Sequence, residues 1–559
     1  MTLMTTVSTA VSQGAITRIT RLFNGTLLDA LNEILQNCRR GGASGVTLTT
    51  MVQGERTLLS VADDGSGIDD PANLITLGQS GWGDEAARRE DPAGMGMFSL
   101  AGRYVEVRSW SPRHAAGWKM IIGPDDWESS APIALAECDI ARGTDIRFEL
   151  SPAWHKTLEY SVAAAACYFP LPVTLDGKHL GQVDWLDGAH HVEFAVGCRI
   201  GVFSGRTLSN DVPRINFHGV TVPCRLPSVI ECSYGPRWSV LIDIVDAPSL
   251  QLVLPARKEM VENAGLEELR SAIRTAIFRA IARREGHTLS YEDWTQALKC
   301  GVELPEATPR LLQWTPSSGE GVRCGGAQMI DAANALRMPY FSPQYAQCLS
   351  RALKAHQDFT TTLVEPVAAF EGYAWYDGLT RVENVGFLIS QNGEQYNYSD
   401  MDERPDLKSG RADAITMELH VTAADGAETT IRLPTDLFIS YDSSLDYDLE
   451  DAVIVLAPES PIDVDGLTDM LEAVCFEAHR DSDADSWQTQ HDQFLLDARQ
   501  VAMELLLDAD EAVIVRCGAV VARELRWLVP EGKMISIQTS AASTNIELVD
   551  LPPSEQDAS

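Results

Sequence analysis

NEILQN at residues 32–37, VADDGSGI at 61–68 and AGMGMFSLAG at 93–102 decide what this chain folds into. The first lies in a helix. Leu27, Leu28, Leu31, Ile34 and Leu35 recur at helical spacing within 19–38, and Gly41-Gly42 stops the run. Glu33 and Asn37, four residues apart, share a face of that helix. A carboxylate there can orient or deprotonate a water, and an amide oxygen can ligate a hard cation such as Mg²⁺. Taken alone, such a pair is more often a solvated face. The second stretch ends a strand: 46–51 and 57–62 read as two strands around Gln53-Gly54-Glu55. Asp63 and Asp64 stand at the strand's carboxyl end, and Gly65 and Gly67 let backbone come close to a ligand. A carboxylate so placed can accept from an exocyclic amine, although a plain Asp-Gly turn uses the same residues. In the third, Gly94 and Gly96 precede a helix start expected over 97–104. Small residues at such a start expose N–H groups to an anion, which the helix dipole favours.

In this order the three pieces resemble the GHKL ATPase superfamily of gyrase B, the heat-shock chaperones of about ninety kilodaltons, histidine kinases and MutL. The family order is E-x-x-x-N on a helix, D-x-G-x-G after a strand, then a Gly-rich segment opening a helix. Asn37 to Asp63 spans 26 residues and Gly67 to Gly94 spans 27. A fourth piece, Gly143-Thr144, opens the alternating strand TDIRFEL. The resemblance covers about residues 15–150 and implies a Bergerat-type α/β sandwich that binds ATP and Mg²⁺. It makes Glu33 the general base for the attacking water and Asn37 the Mg²⁺ ligand. It puts Asp63 on the adenine amine, with Thr144, Gly65 and Gly67 beside it. The N–H groups around Gly94, Met95, Gly96 and Met97 would cradle phosphates. The segment from Gly78 to Pro92 would be the lid, hinged at Gly78, Gly81 and Gly83. There are departures. Many relatives follow the Asn with x-x-Asp-Ala, where this chain has Cys38-Arg39-Arg40-Gly41, and Asp64 stands where many carry Asn. Slow hydrolysis is compatible with both.

Residues 151–290 resemble the transducer domain of MutL, gyrase B and the chaperones, a fold like that of ribosomal protein S5. LVLPARKEMVEN at 252–263 is similar to the MutL loop whose basic residue reaches the γ-phosphate. That role would fall to Arg257 or Lys258, since a cation stabilises charge on a transferring phosphoryl group. The helical run LEELRSAIRTAIFRAIARR at 266–284 follows.

The rest of the chain sets bounds. Its 559 residues are 45% hydrophobic and 22% charged, enough for three or four domains with their own cores. A net charge of −36 repels phosphate backbones and anionic membranes, and it also simply keeps a protein soluble. The eleven cysteines are scattered, odd in number and free of CxxC spacing, which reads as reduced thiols in a cytoplasmic protein. No apolar run reaches the ~18–20 residues that span a bilayer, and the start of the chain lacks the pattern of a signal peptide. Residues 401–510 hold 27 Asp+Glu against 6 Lys+Arg, a local balance of −21. There VIVLAPESPIDVDGL offers Glu459, Asp463 and Asp465 as a fragment of a metal site, with solvent-facing acids the blander reading. GYAWYDG, with Tyr373, Trp375 and Tyr376, reads as an exposed aromatic group or a core strand.

The expectation is therefore an α+β chain in three parts. Residues 1–150 form a GHKL ATPase domain, 151–290 a transducer, and 291–559 a mixed α/β, acidic region that binds a partner or acts as effector. By resemblance it is a Mg²⁺-dependent ATPase switch. ATP pairs two N-terminal domains, with residues 1–22 contributing, and drives a protein partner through the C-terminal region. The alternatives are a DNA-transaction clamp like MutL, which the net charge disfavours, and a nucleotide-binding regulator with negligible turnover.

Overall fold

The computed structural model describes residues 26–76, 96–129, 131–205, 212–253, 259–320, 328–332, 335–356, 359–399, 407–441, 449, 452–479, 485–540 and 542–550. The chain is mixed α/β and divides into two compact units, Met1–Thr308 and Pro309–Ser559.

The first unit begins with helix α1, Leu27–Arg40. Thr26 caps it, its hydroxyl accepting from Asp29 N at 3.1 Å. Gly41 N closes it on Asn37 O at 2.9 Å, and Gly42 turns the chain away at φ +69°. Leu27, Leu31, Ile34 and Leu35 are buried. Each contributes roughly 1.5–3 kcal/mol by leaving water, against about 1 kcal/mol for the cap, so packing holds this helix. It packs over a mixed sheet. In chain order the strands are β1 (Val46–Gln53), β2 (Arg56–Asp63), β3 (Val105–Ser111), β4 (Ala116–Ile122), β5 (Leu135–Glu137) and β6 (Thr144–Glu149). Helix α2 (Leu158–Cys167) then lies beside α1, and β7 (Val173–Leu175) and β8 (Lys178–His179) complete the layer. The order across the described strands is β5-β4-β3-β6-β2-β1-β7-β8. The β1–β2 hairpin turns at Gly54, φ +64°, and pairs Val46 with Asp63. Leu48, Leu59, Val61, Val107, Phe148 and Val162 join the α1 residues in one core.

A second mixed sheet follows in the same unit. Its strands are β9 (His191–Ala195), β10 (Cys198–Ser204), β11 (Ile215–Phe217), β12 (Val220–Val222), β13 (Val229–Ile230) and β14 (Arg237–Ile244), in the order β12-β11-β14-β10-β9 with β13 on β14. Helix α3 (Ala264–Ile281), capped by Asn263 on Leu266 N at 3.0 Å, buries Leu266, Leu269, Ile273 and Ile277 against it. Helix α4 (Tyr291–Lys299) adds Ala297 to the same core. The first sheet thus continues past residue 150 to His179, and the unit continues past 290 through α4.

The second unit has its own core, built around the long strand Thr380–Gln391 and helices Pro343–Ala355 and Val464–Cys475. GYAWYDG forms a short helix, Ala374–Asp377, rather than a strand or an exposed patch. Tyr373 and Tyr376 are fully buried, packed with Phe370 and Trp375, and Tyr376 Oη accepts from Val367 N at 2.8 Å. The helix expected over 97–104 is a 3-10 stretch, Gly96–Leu100. Gly102, at φ +79°, ends it before Val105 enters β3. No described helix is long and apolar enough to cross a membrane, and every described cysteine is a free thiol.

Candidate functional site

Asp63 ends β2 and sits directly opposite Thr144, the first residue of β6. Gly65 N donates to its carboxylate at 2.7 Å, and Thr144 N and the Cys38 thiol from α1 stand by as further donors that favour its charged form. Burial raises the Asp63 pKa above the ordinary 3.8, and these hydrogen bonds oppose the rise. The same burial, with the Asp63 charge beside it, pushes the Cys38 thiol well up, so it is a donor and not a thiolate. Thr144 is buried, and its hydroxyl lies 2.8 Å from Ser109 Oγ, which also donates to Gly143 O at 3.2 Å.

The glycines do structural work that a sequence cannot display. A Cβ on Gly143, which has φ +73°, would stand 1.9 Å from Asp63 O. One on Gly67, φ +78°, would stand 2.1 Å from Trp110 O, the carbonyl that accepts from Ile68 N at 2.8 Å. One on Gly65 would meet Gly41 O at 2.7 Å. Ser66 N donates to that Gly41 carbonyl at 2.8 Å. The loop after β2 is therefore sewn to the end of α1 on one side and to the end of β3 on the other. Asp64 is spent on this stitching. It accepts from Ser44 N at 2.6 Å and from the Ser44 hydroxyl, and those bonds hold its pKa below the usual range.

On α1, Glu33 and Asn37 are half-buried on one face. Gln36, three residues from Glu33, is buried at the edge of that face. Its amide donates to Phe217 O at 3.2 Å and His218 O at 2.6 Å, in the β11–β12 turn. Asn37 Oδ1 accepts from Arg40 Nη1 at 3.1 Å. This bears on Mg²⁺, which carries two charges and favours oxygens at roughly 2.0–2.1 Å. The oxygen that the GHKL resemblance offers such an ion is held by a guanidinium. Among the described residues no cluster of three His, Cys, Asp or Glu side chains supplies another site. The residues present do not fit a protein-held Mg²⁺.

The remaining expectations divide. Gly96 opens the 3-10 stretch, and the Met97 side chain is buried in the core. Gly94, Met95, Arg257, Lys258, the lid from Gly78 to Pro92 and residues 1–22 lie outside the described residues. In the second unit, Asp463 caps Val464–Cys475 by accepting from Gly466 N at 2.8 Å, and Asp465 pairs with Arg499 at 2.7 Å. Glu459 lines a cavity of about 810 Å³ beside the Arg351–Asp436 ion pair. The sequence reading missed Cys38, Ser44, Ser109 and Gln36 as parts of the site's frame. The i, i+3 spacing of Asn37 and Arg40 was the one signal available for their contact.

No protein-family model matches the chain, and no curated protein matches it. Among solved structures, the ATPase region of Saccharomyces cerevisiae topoisomerase II is similar over 45% of this chain and 89% of that one, at 10% identity and a TM-score of 0.33. A likeness of that size carries no argument about this chain.

Proposed function

We propose that the first unit binds ATP as a GHKL-type switch, with Asp63 accepting from the adenine amine and Thr144 beside it. The observation that carries this reading is the convergence on Asp63. Motifs far apart in sequence meet there: Cys38 from the Glu33–Asn37 helix, Gly65 from the loop and Thr144 from β6. A carboxylate held by fixed donors is preorganised to accept one more, from an exocyclic amine. In this reading Glu33 orients and deprotonates the attacking water. The N–H groups around Gly94, Met95, Gly96 and Met97 cradle phosphates under the lid from Gly78 to Pro92. Arg257 or Lys258 answers the γ-phosphate, and the second sheet acts as transducer, joined to the site helix through Gln36. Pairing of two N-terminal domains on ATP, with a protein partner for the acidic second unit, belongs to the same proposal. ATP is carried forward; a Mg²⁺ held by Asn37 is not.

The Arg40–Asn37 contact favours a second reading, a nucleotide-binding regulator with little turnover. Phosphate release and molecular mass, with and without a non-hydrolysable ATP analogue, separate the two. Turnover with nucleotide-dependent dimerisation supports the switch; binding with neither supports the regulator. If the switch is correct, Glu33→Ala keeps ATP binding and lowers turnover about 100-fold or more. Turnover equal to wild type in that variant removes Glu33 from the chemistry.

A further inference from the structure

Asn37 and Arg40 lie one turn apart on α1, and the Arg40 guanidinium turns back to donate to the Asn37 amide oxygen at 3.1 Å. A basic residue in the last turn of a helix is explained by the dipole alone. The dipole does not explain why this one is half-buried and holds a side-chain oxygen on the face that carries Glu33. Residues 33, 37 and 40 are spaced four and three apart, so all three project to that side. The turn behind Arg40 is fixed: Gly41 O accepts from Ser66 N, and Ser44 is clamped to Asp64. The guanidinium is thus presented from a braced position rather than from a free end.

A role for Arg40 at this position rests on the nucleotide reading above, which puts Asn37 beside the phosphates. A divalent ion there would neutralise phosphate oxygens while being ligated by the amide oxygen. In this chain the ion would sit against a like charge that already occupies that oxygen. Arg40 itself meets the electrostatic need. Its planar fork of donors matches phosphate oxygens two at a time. A Lys could supply the charge but not the fork, and an Asp, which many GHKL relatives carry here, would invert the field. We propose that Arg40 is the built-in cation of this site, standing in for the metal against the phosphates, so that ATP binds without Mg²⁺.

Equilibrium binding of a fluorescent ATP analogue to the full chain, in excess Mg²⁺ and in EDTA, tests this. The wild type is expected to lose less than about fivefold in affinity on metal removal. A larger loss overturns the proposal without any variant. In EDTA, Arg40→Gln is expected to bind about tenfold or more weaker than wild type, with Arg40→Lys between them. Equal metal-free affinity in wild type and Arg40→Gln also overturns it. Arg40→Asp is expected to bind only with Mg²⁺ present, a gain of metal response that a misfolded chain cannot show. If the wild type binds the analogue in neither condition, the nucleotide reading itself fails, and that result is distinct from binding that needs the metal.

Discussion

Two loops of this molecule follow a buried strand and carry acids at its carboxyl end, yet only one is built as a site. After β2, Asp63 receives donors from three separate elements, and its neighbouring glycines press against carbonyls of α1 and β3. After the strand Val453–Leu456 in the second unit, each acid meets a single partner or lines an open cavity. Asp463 caps the next helix, Asp465 reaches Arg499 on the surface, and Glu459 edges a wide cavity. Acids at a strand end are common; convergence from elsewhere in the chain marks a site.

The comparison can be broken most directly at the carboxylates. Asp63→Asn is expected to weaken ATP binding about 100-fold or more, since the amide then faces the adenine amine with a donor of its own. Asp463→Asn should leave nucleotide binding unchanged, because Asn caps a helix as well as Asp does. Equal effects of the two substitutions, read by titration with the same analogue, would erase the distinction between the loops.

At the glycines the effect is expected on stability rather than on binding. Gly143→Ala forces a Cβ against Asp63 O at a positive φ, and should cost about 3 kcal/mol or more in urea unfolding. Gly466→Ala meets Asp463 Oδ1 at 3.1 Å with no positive φ, and should change stability by less than about 1 kcal/mol. If Gly143→Ala is tolerated as well, the close approach at Asp63 is not under constraint.

The smallest effect sharpens rather than breaks the comparison, and it depends on pH. The folded state raises the Asp63 pKa above 3.8, so it binds that proton more tightly than the unfolded chain does. The stability this provides is therefore lost as pH rises above that value. Asp63→Asn removes the loss. Its stability relative to wild type should increase from pH 3 toward neutrality, with the rise beginning near the ordinary carboxylate range. A difference that is flat with pH would mean that Asp63 is not buried as described. Together with the binding result, a variant no less stable at pH 7 yet unable to hold ATP would assign Asp63 to recognition and not to folding.

Much of the first unit was legible because its signals are local. The helical spacing of its apolar residues announces α1, the turn at Gln53-Gly54-Glu55 announces β2, alternation announces β6, and Gly-Gly announces the stop after Arg40. What escaped was whatever depends on contacts across the chain. Cys38 reads as one more buried thiol until Asp63 is seen beside it, and nothing in periodicity pairs Gln36 with carbonyls 181 and 182 residues away. The 3-10 stretch at Gly96–Leu100 has the apolar content of a helix; Gly102 and the start of β3 cut it short. In GYAWYDG the aromatic density was visible and burial was one of its two readings, but the helix was not, because it is set by packing on Phe370 and the Tyr376–Val367 hydrogen bond.

Gln36 has one further consequence. A helix with side chains spans about 10–12 Å across, so turning it by roughly 20° about its axis swings a side-chain tip through about 2 Å. That swing is enough to take a carboxylate out of reach of a water it must deprotonate. The two hydrogen bonds from Gln36 to the β11–β12 turn oppose such a rotation, one turn along the helix from Glu33. The second sheet therefore sets the dial of the first: where its hairpin stands determines the compass bearing of every side chain on the helix.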